Sequence, residues 1–396
     1  MSDTAFSWKK IIIPAFGPSM LFGIGNGAIL PVIALSAIDL NASLAMSGVI
    51  VSLIGLGSLV SNIPAALITS RYGERRSLIG ASALCVVALI LCLTAPHAAI
   101  LALGVLLMGM ATSVFYLARQ SYLIDAVPMH LRARAFSTLG GTQRIGMFVG
   151  PFAAAAFMHF IGLAGAYWVA MIALTAAGAL SFAIPELEIR PKTGADPAPK
   201  PRMANIASTH RQVFLTLGAG VLLVGAMRAS RQIAIPLWSD TIGLNPTTTA
   251  IVFGLTSAID MLVFYPAGKI MDQYGRVWVA LPCTLILGLA FLAIPWTHSL
   301  PAFVLVCIVM GFGNGIGSGI VMTLGADASP AVGRTEFLGI WRLIADVGTS
   351  AGPFFLSGMT ALISLSAGIA ATGGFGFVAA AIFWRSLPHA RPVRKD

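Results

Sequence analysis

Charge is scarce in this sequence. Asp, Glu, Lys and Arg together make up 10% of its 396 residues, against roughly 25% in an ordinary soluble domain. Hydrophobic residues account for 57% and the mean hydropathy is +0.90. So little polar material cannot cover a folded globule in water, which excludes a large soluble α/β protein and leaves an all-α integral membrane protein. Acidic residues number 14 against 24 basic ones, a net charge of +10. The bases fall at the ends of apolar runs, where they report membrane orientation, so no nucleic-acid partner is expected. Cysteine is limited to Cys85, Cys92, Cys283 and Cys307. All four lie in apolar runs without ligand spacing and read as small buried hydrophobes, not as disulfides or metal ligands. Also missing are a GxxxxGK[ST] loop, an HExxH helix and any Cys/His cluster. ATP-driven transport by this chain alone, a metal site, a cofactor and an enzymatic activity are therefore not expected.

What is present is a series of long apolar segments. A helix crossing the hydrocarbon needs about 20 apolar residues. Twelve stretches qualify: 11–36, 44–69, 77–95, 98–124, 136–160, 163–184, 212–238, 247–271, 277–296, 300–325, 336–362 and 366–385. The first is too long for a signal-peptide core and has no clear cleavage site. One long polar stretch, Pro185 to Arg211, is rich in Pro, Lys and Arg and reads as a flexible linker. The expected organisation is a six-helix bundle over 1–184, a linker over 185–211, a second six-helix bundle over 212–386 and a tail over 387–396. Lys9, Lys10, Arg71, Arg75, Arg76, Arg132, Arg134, Arg276, Arg334 and Arg385 all fall in loops of one side, while the loops around Asp39, His97, Gly162, Asp240, His298 and Ser364 carry no Lys or Arg. Basic loops stay cytoplasmic, so both termini and the linker are expected inside.

The two halves repeat. Pro64, Tyr72 and Gly73 match Pro266, Tyr274 and Gly275 at a shift of 202. The same shift pairs Asp125–Pro128 (DAVP) with Asp327–Pro330 (DASP), Arg132 with Arg334, and Gly146, Gly150 and Pro151 with Gly348, Gly352 and Pro353. Pro31 aligns with Pro236 only after a three-residue slip. Two six-helix halves in parallel register are a transporter architecture, with substrate held near the midplane.

On these residues the sequence resembles the major facilitator superfamily, and within it the bacterial drug/proton antiporter type. The family's loop after the second span reads roughly G-x-x-x-D-R-x-G-R-R. The second-half copy keeps Gly268, Asp272, Gly275 and Arg276, with Gln273 at the first basic position; the first-half copy keeps Arg71, Gly73, Arg75 and Arg76 but has Ala66, Ser70 and Glu74 at the glycine, aspartate and a basic position. The resemblance implies a gating latch at Ser70, Arg71, Gly73, Arg75, Asp272, Gly275 and Arg276; a tight turn that merely sets topology is the alternative. Gly146-Gly150-Pro151 in the fifth span resembles the family's antiporter motif, although FAAAA follows it here where the family continues with glycines. Gly348-Gly352-Pro353 repeats it in the eleventh. Small residues four apart allow close helix approach, and proline removes a backbone hydrogen bond and bends the helix; ordinary close packing is the competing reading.

Charges set in from the ends of the spans are Arg119, Arg144, Arg228, Arg231, Asp260, Arg342 and Asp346. Each costs about 2.5–3.5 kcal/mol or more at the centre of a bilayer, so such residues usually face a cavity or a partner. The resemblance implies that spans one, four, seven and ten line a substrate cavity. That makes Asn26, Arg119, Arg228, Arg231, Gln232 and Asn314 the candidate substrate residues. Arg119 is also close enough to the cytoplasmic end to snorkel. Arg228 and Gln232 share one helical stripe, with Arg231 expected to lean aside. Asp260, near mid-membrane, is the candidate proton carrier, with Arg228 or Arg144 as partner; a fixed structural ion pair is the alternative. Arg342 and Asp346 have the spacing of a local pair, with Asp346 a second proton candidate. The expected function is alternating-access transport, first as proton-coupled efflux of an amphipathic compound. Uptake of a small organic anion, and a transporter-like receptor or lipid translocator, are the alternatives. The expected partners are a small molecule, protons and the lipid bilayer, for a monomer in the bacterial cytoplasmic membrane.

Overall fold

In a computed structural model the described residues are 8–128, 131–184, 203–330 and 332–387. Among them every regular element is helical. The first six helices are α1 (Trp8–Asp39), α2 (Leu44–Tyr72), α3 (Glu74–Leu93), α4 (Ala98–Ala126), α5 (Arg132–Ile161) and α6 (Ala164–Ser181). Then follow α7 (Met203–Thr209), α8 (Arg211–Leu215), α9 (Leu217–Thr241), α10 (Pro246–Tyr274), α11 (Val277–Ala293), α12 (Leu300–Ile316), α13 (Ile320–Ala328), α14 (Arg334–Leu362) and α15 (Leu365–Ser386). The expected linker is helical over Met203–Thr209, and its residues 185–202 lie outside the described residues, as do 388–396 of the expected tail.

Eleven spans among the described residues are long and apolar enough to cross a membrane. The eleventh expected span, α14, is 29 residues long, about 43 Å at 1.5 Å per residue. It exceeds the ~30 Å of hydrocarbon, and its apolar run is interrupted by Glu336, Arg342 and Asp346 and thinned by Gly, Ser, Thr and Pro. Large apolar side chains stay exposed along these helices, among them Ile63, Phe160, Trp296 and Leu362. Outward-facing apolar surface on this scale needs lipid to cover it.

The chain divides into two compact units. Unit 1 comprises Met1–Ser43, Ile50–Pro191 and Asn245–Gly254; unit 2 comprises Leu44–Val49, Lys192–Leu244 and Leu255–Asp396. In unit 1 α1 packs chiefly on α5 and α6, and α3 on α4 and α6. In unit 2 α9 packs on α14 and α15, and α11 on α15 and α12.

Glycine sets the closest of these approaches. A Cβ on Gly146 or Gly150 would run into the α1 carbonyls of Met20 and Ile24, and a Cβ on Gly348 or Gly352 into the α9 carbonyls of Leu222 and Ala226. The repeat extends further: Gly109 lies on the Ile54 carbonyl, and Gly311, 202 residues on, lies on the Thr256 carbonyl. Proline sits within α5 and α14 immediately after the second glycine. Membrane helices tolerate it because neighbouring groups re-satisfy the freed backbone. Helix starts are locally encoded as well. The Asn245 side chain accepts from the Thr248 amide at 2.7 Å ahead of Pro246, and Ser364 accepts from the Ala367 amide at 3.1 Å, each satisfying an otherwise orphaned donor.

The tenth expected span departs from a single helix. It stops at Ile316 and restarts at Ile320, across the sequence GNGIGSG. Each helix-interior glycine costs about 1 kcal/mol relative to alanine, and the four here make a break affordable where Gly317 is pressed against Cys283 and Arg228.

The glycine contacts predict a contrast. Gly352→Val should lower the thermal midpoint of the purified protein, at an overpacking cost of about 1–3 kcal/mol. Gly141→Ala, where a Cβ meets nothing within 4 Å, should leave the midpoint unchanged or slightly raised.

Candidate functional site

Asp260 lies at the centre of α10, fourteen residues from either end. Its carboxylate is partly buried and faces two donors within unit 2. Arg231 Nη2 on α9 stands 3.8 Å from Asp260 Oδ2, and Asn314 Nδ2 on α12 donates to the same oxygen at 2.5 Å. Three helices thus meet on one carboxylate. The local cause is close packing: Gly311 and Gly315 let α12 lie directly on the α10 backbone at Thr256 and Asp260, which brings Asn314 beside the acid.

Arg231, not Arg228, is the α9 partner of Asp260, which corrects the expectation that Arg231 leans aside. The α9 helix is fixed in rotation by Gly225, which lies against Ala345 of α14; that rotation carries residue 231 toward α10. Arg228 turns instead toward the break between α12 and α13. Its Nη2 is pressed on Gly317, and its guanidinium meets the Cys283 thiol. Among the described residues Arg228 makes no ion pair, and its Nε and Nη2 are buried without an acceptor. The Asn314 Oδ1 and the Ser318 Oγ nearby are buried without a donor. Gln232 is half-buried on the same helix.

Unit 1 holds a second polar cluster. Arg119 on α4 is 8% exposed, so it does not snorkel; it is enclosed. Its Nη2 donates to Gln143 Oε1 of α5 at 3.2 Å. Gln143 Nε2 in turn donates to the Tyr116 hydroxyl at 2.7 Å, and Asn26 Nδ2 of α1 donates to the same hydroxyl at 3.3 Å. The Arg119 guanidinium lies 5.1 Å from the Tyr116 ring centre. Aromatic packing positions the cluster: Phe22 of α1 stacks on Phe115 at 3.9 Å, and both are fully buried. Arg144 is half-buried one residue beyond Gln143.

The repeated loops differ in their electrostatics. In unit 2, Arg276 Nε bonds Asp327 Oδ2 at 2.8 Å, Nη1 lies 3.5 Å from Asp272 Oδ1, and Nη1 also donates to the Met271 carbonyl at 2.9 Å. The hydrogen bond to Asp327, helped by the charges of Asp327 and Asp272, holds the Arg276 guanidinium above the usual arginine range. In unit 1 the position equivalent to Arg276 is Glu74, which accepts from Ser121 of α4 at 2.8 Å. Ser70 bonds its own helix at Leu67, Arg71 lies over Tyr72 and Arg75 over Phe182. Neither Arg71 nor Arg75 makes an ion pair among the described residues. Both loops turn at a glycine with positive φ, 80° at Gly73 and 99° at Gly275, which explains why that residue recurs. Arg342 and Asp346 form an i,i+4 pair at 3.7 Å with half-exposed side chains.

The residues that the sequence does not mark as part of a site are Tyr116, Gln143, Ser318, Asp327 and Cys283. Asp327 carries a signal, because it belongs to the repeated DASP segment. Tyr116 and Gln143 carry none; they are ordinary polar residues until the packing of α1, α4 and α5 joins them.

With this geometry in view, comparison with known proteins is direct. The model of the Major Facilitator Superfamily matches residues 16–259 and 217–396. The multidrug resistance protein MdtL of Escherichia coli O81 (strain ED1a) is 25% identical over 339 residues, covering 84% of this chain and 85% of the relative. An uncharacterized MFS-type transporter, YhjO of Bacillus subtilis (strain 168), is 22% identical over 317 residues, covering 80% and 77%. Among solved structures, a nucleoside transporter NupG superposes with a TM-score of 0.77 at 12% identity over 96% of this chain and 99% of the other. A D-xylose-proton symporter does so with a TM-score of 0.73 at 17% identity over 96% and 98%. At such identities the structural likeness carries the fold alone. The chain belongs to the Major Facilitator Superfamily: it is a multi-pass membrane transporter with twelve transmembrane helices in two pseudo-symmetric halves.

Proposed function

We propose that the protein exports an amphipathic compound in exchange for protons. The observation that carries this reading is the Asp260 carboxylate, held in the middle of α10 by Arg231 and Asn314. A proton on Asp260 removes the charge that Arg231 faces and one acceptor that Asn314 uses. The neutral cluster then no longer holds α9, α10 and α12 by an ion pair, so protonation favours one facing state and compound the other. A ligand shifts such an equilibrium only by its differential affinity for the two states, and removing a buried charge partner changes that balance by about 3–5 kcal/mol. The likeness to a protein named for multidrug resistance supports the direction of transport. Uptake of a small organic anion is a second reading, favoured by the spare buried donors of Arg228.

We place both termini and the loops of Arg71 and Arg276 on the cytoplasmic face, from the one-sided distribution of basic residues. The Asp272–Arg276–Asp327 cluster is then a latch at that face. Arg342–Asp346, local and half-exposed, serves packing.

Three measurements test this account. In inside-out vesicles with an acidic lumen, exchange accumulates a carried compound in the lumen, whereas symport drains it. A screen of organic anions and lipophilic cations in that geometry should find luminal accumulation, and Asp260→Asn should reduce it to the passive level. Gradient-driven accumulation that survives in Asp260→Asn removes the residue from the coupling. For the latch, a double-mutant cycle of Arg276→Gln and Asp327→Asn on thermal stability should give a coupling energy of up to about 1 kcal/mol, the scale of a partly exposed pair; zero coupling removes the latch. A C-terminal fluorescent-protein fusion should fluoresce and a phosphatase fusion there should be inactive; the opposite pattern reverses the topology.

A further inference from the structure

The least explained charge in the protein is Arg119. A guanidinium offers five N–H donors and carries its charge at every physiological pH. Here one nitrogen, Nη2, donates to Gln143, while Nε and Nη1 are buried with no acceptor. No carboxylate faces it among the described residues. Its remaining neighbours are the faces of Tyr116 and Phe115, at 5.1 and 5.9 Å, which favour a cation but do not satisfy its N–H groups. A buried cation in this condition is unfavourable unless a counter-charge joins it.

The neighbouring groups are arranged to receive that counter-charge. The Tyr116 hydroxyl already accepts from Gln143 and from Asn26. With its lone pairs engaged by two donors, its own hydrogen is left to be donated. Gln143 spends its carbonyl on Arg119 and one amide hydrogen on Tyr116, so the cluster is oriented as donors around an acceptor that the protein does not supply. Arg119 is enclosed, whereas Tyr116 and Gln143 are half-buried, so a ligand would reach the cluster past those two side chains.

We infer that Arg119, with Tyr116, Gln143 and Asn26, forms an oxyanion site in unit 1, and that it binds the carboxylate or phosphate group of an amphipathic anion. The site differs from the Asp260 cluster in kind: that cluster contains its own acid, and this one lacks any. A lipid-headgroup phosphate offers the same chemistry as a cargo's acidic group. Assigning the group to cargo rests on the export reading above. Binding itself is read without a proton gradient, so its failure leaves that reading standing.

The test uses the full-length protein in neutral detergent and in phosphatidylcholine vesicles, with thermal unfolding followed by tryptophan fluorescence. The probes are benzoate and inorganic phosphate, with chloride at matched ionic strength and benzyltrimethylammonium as controls. Benzoate or phosphate should raise the midpoint, and the controls should not. Arg119→Gln should fold with a midpoint no lower than the wild type in the absence of anion, because it removes an unpaired buried charge. Its apparent anion affinity should fall about ten- to hundredfold, the worth of a charged hydrogen bond, and Arg119→Lys should recover part of it. Phosphatidylglycerol vesicles that stabilise the wild type and block the benzoate response, with Arg119→Gln indifferent to both, would support the site and name lipid as its occupant. Two results overturn the inference: no anion-dependent shift in the wild type, or an equal shift in Arg119→Gln.

Discussion

Inside a bilayer an ion pair is a conditional structure. Arg231 and Asp260 stand 3.8 Å apart on helices that cross the membrane. Either charge alone costs about 2.5–3.5 kcal/mol or more at the centre of a helix in lipid. The two are tolerable together, with Asn314 completing the acid's hydrogen bonding. A proton on Asp260 would alter that condition, because it neutralises the charge that Arg231 faces. The packing of α9 on α14 and the glycine-mediated contact of α12 with α10 hold this group of side chains in place.

The scaffold around it is repeated, and the chemistry is not. Gly146 and Gly150 press α5 on α1 as Gly348 and Gly352 press α14 on α9, and Gly109 and Gly311 make the same contact in each half. Close packing requires a small residue at those points, and both halves retain one. With the alignment set by Pro31 and Pro236, Asn26 takes the place of Arg231 and Gly23 that of Arg228. Unit 1 therefore has no counterpart of the α9 arginines. Its own cation, Arg119, enters from α4 and is surrounded by neutral amides and a phenol. The loops diverge similarly: Arg276 bridges two aspartates where Glu74 takes a serine hydroxyl. One half carries an acid among arginines, the other an arginine without an acid.

The membrane class, the apolar spans and the internal repeat were legible because each depends on a property summed over many residues. Hydropathy over twenty positions and one offset shared by ten residues survive local errors. The partner of Asp260 was not legible. Arg228 and Arg231 lie three residues apart on one helix, and the packing of α9 on α14, through Gly225, Gly348 and Gly352, decides which of them reaches α10. Arg119 was ambiguous for a related reason: its distance from the helix end suits snorkelling, and its enclosure depends on Tyr116 and Gln143 meeting from different helices. The break after Ile316 had a visible cause in the glycines of GNGIGSG. Hydropathy alone passes over it, since glycine barely lowers the average.

The central claim is that Asp260 exchanges its proton within an arginine-held cluster, and infrared difference spectroscopy reads that carboxyl directly. Titrating the purified protein in phosphatidylcholine nanodiscs should reveal a protonated-carboxyl band that is absent in Asp260→Asn. In Arg231→Gln the same band should move in frequency, because the carboxyl loses the guanidinium it faces. A carboxyl spectrum identical in wild type and Asp260→Asn across the titration would contradict the account.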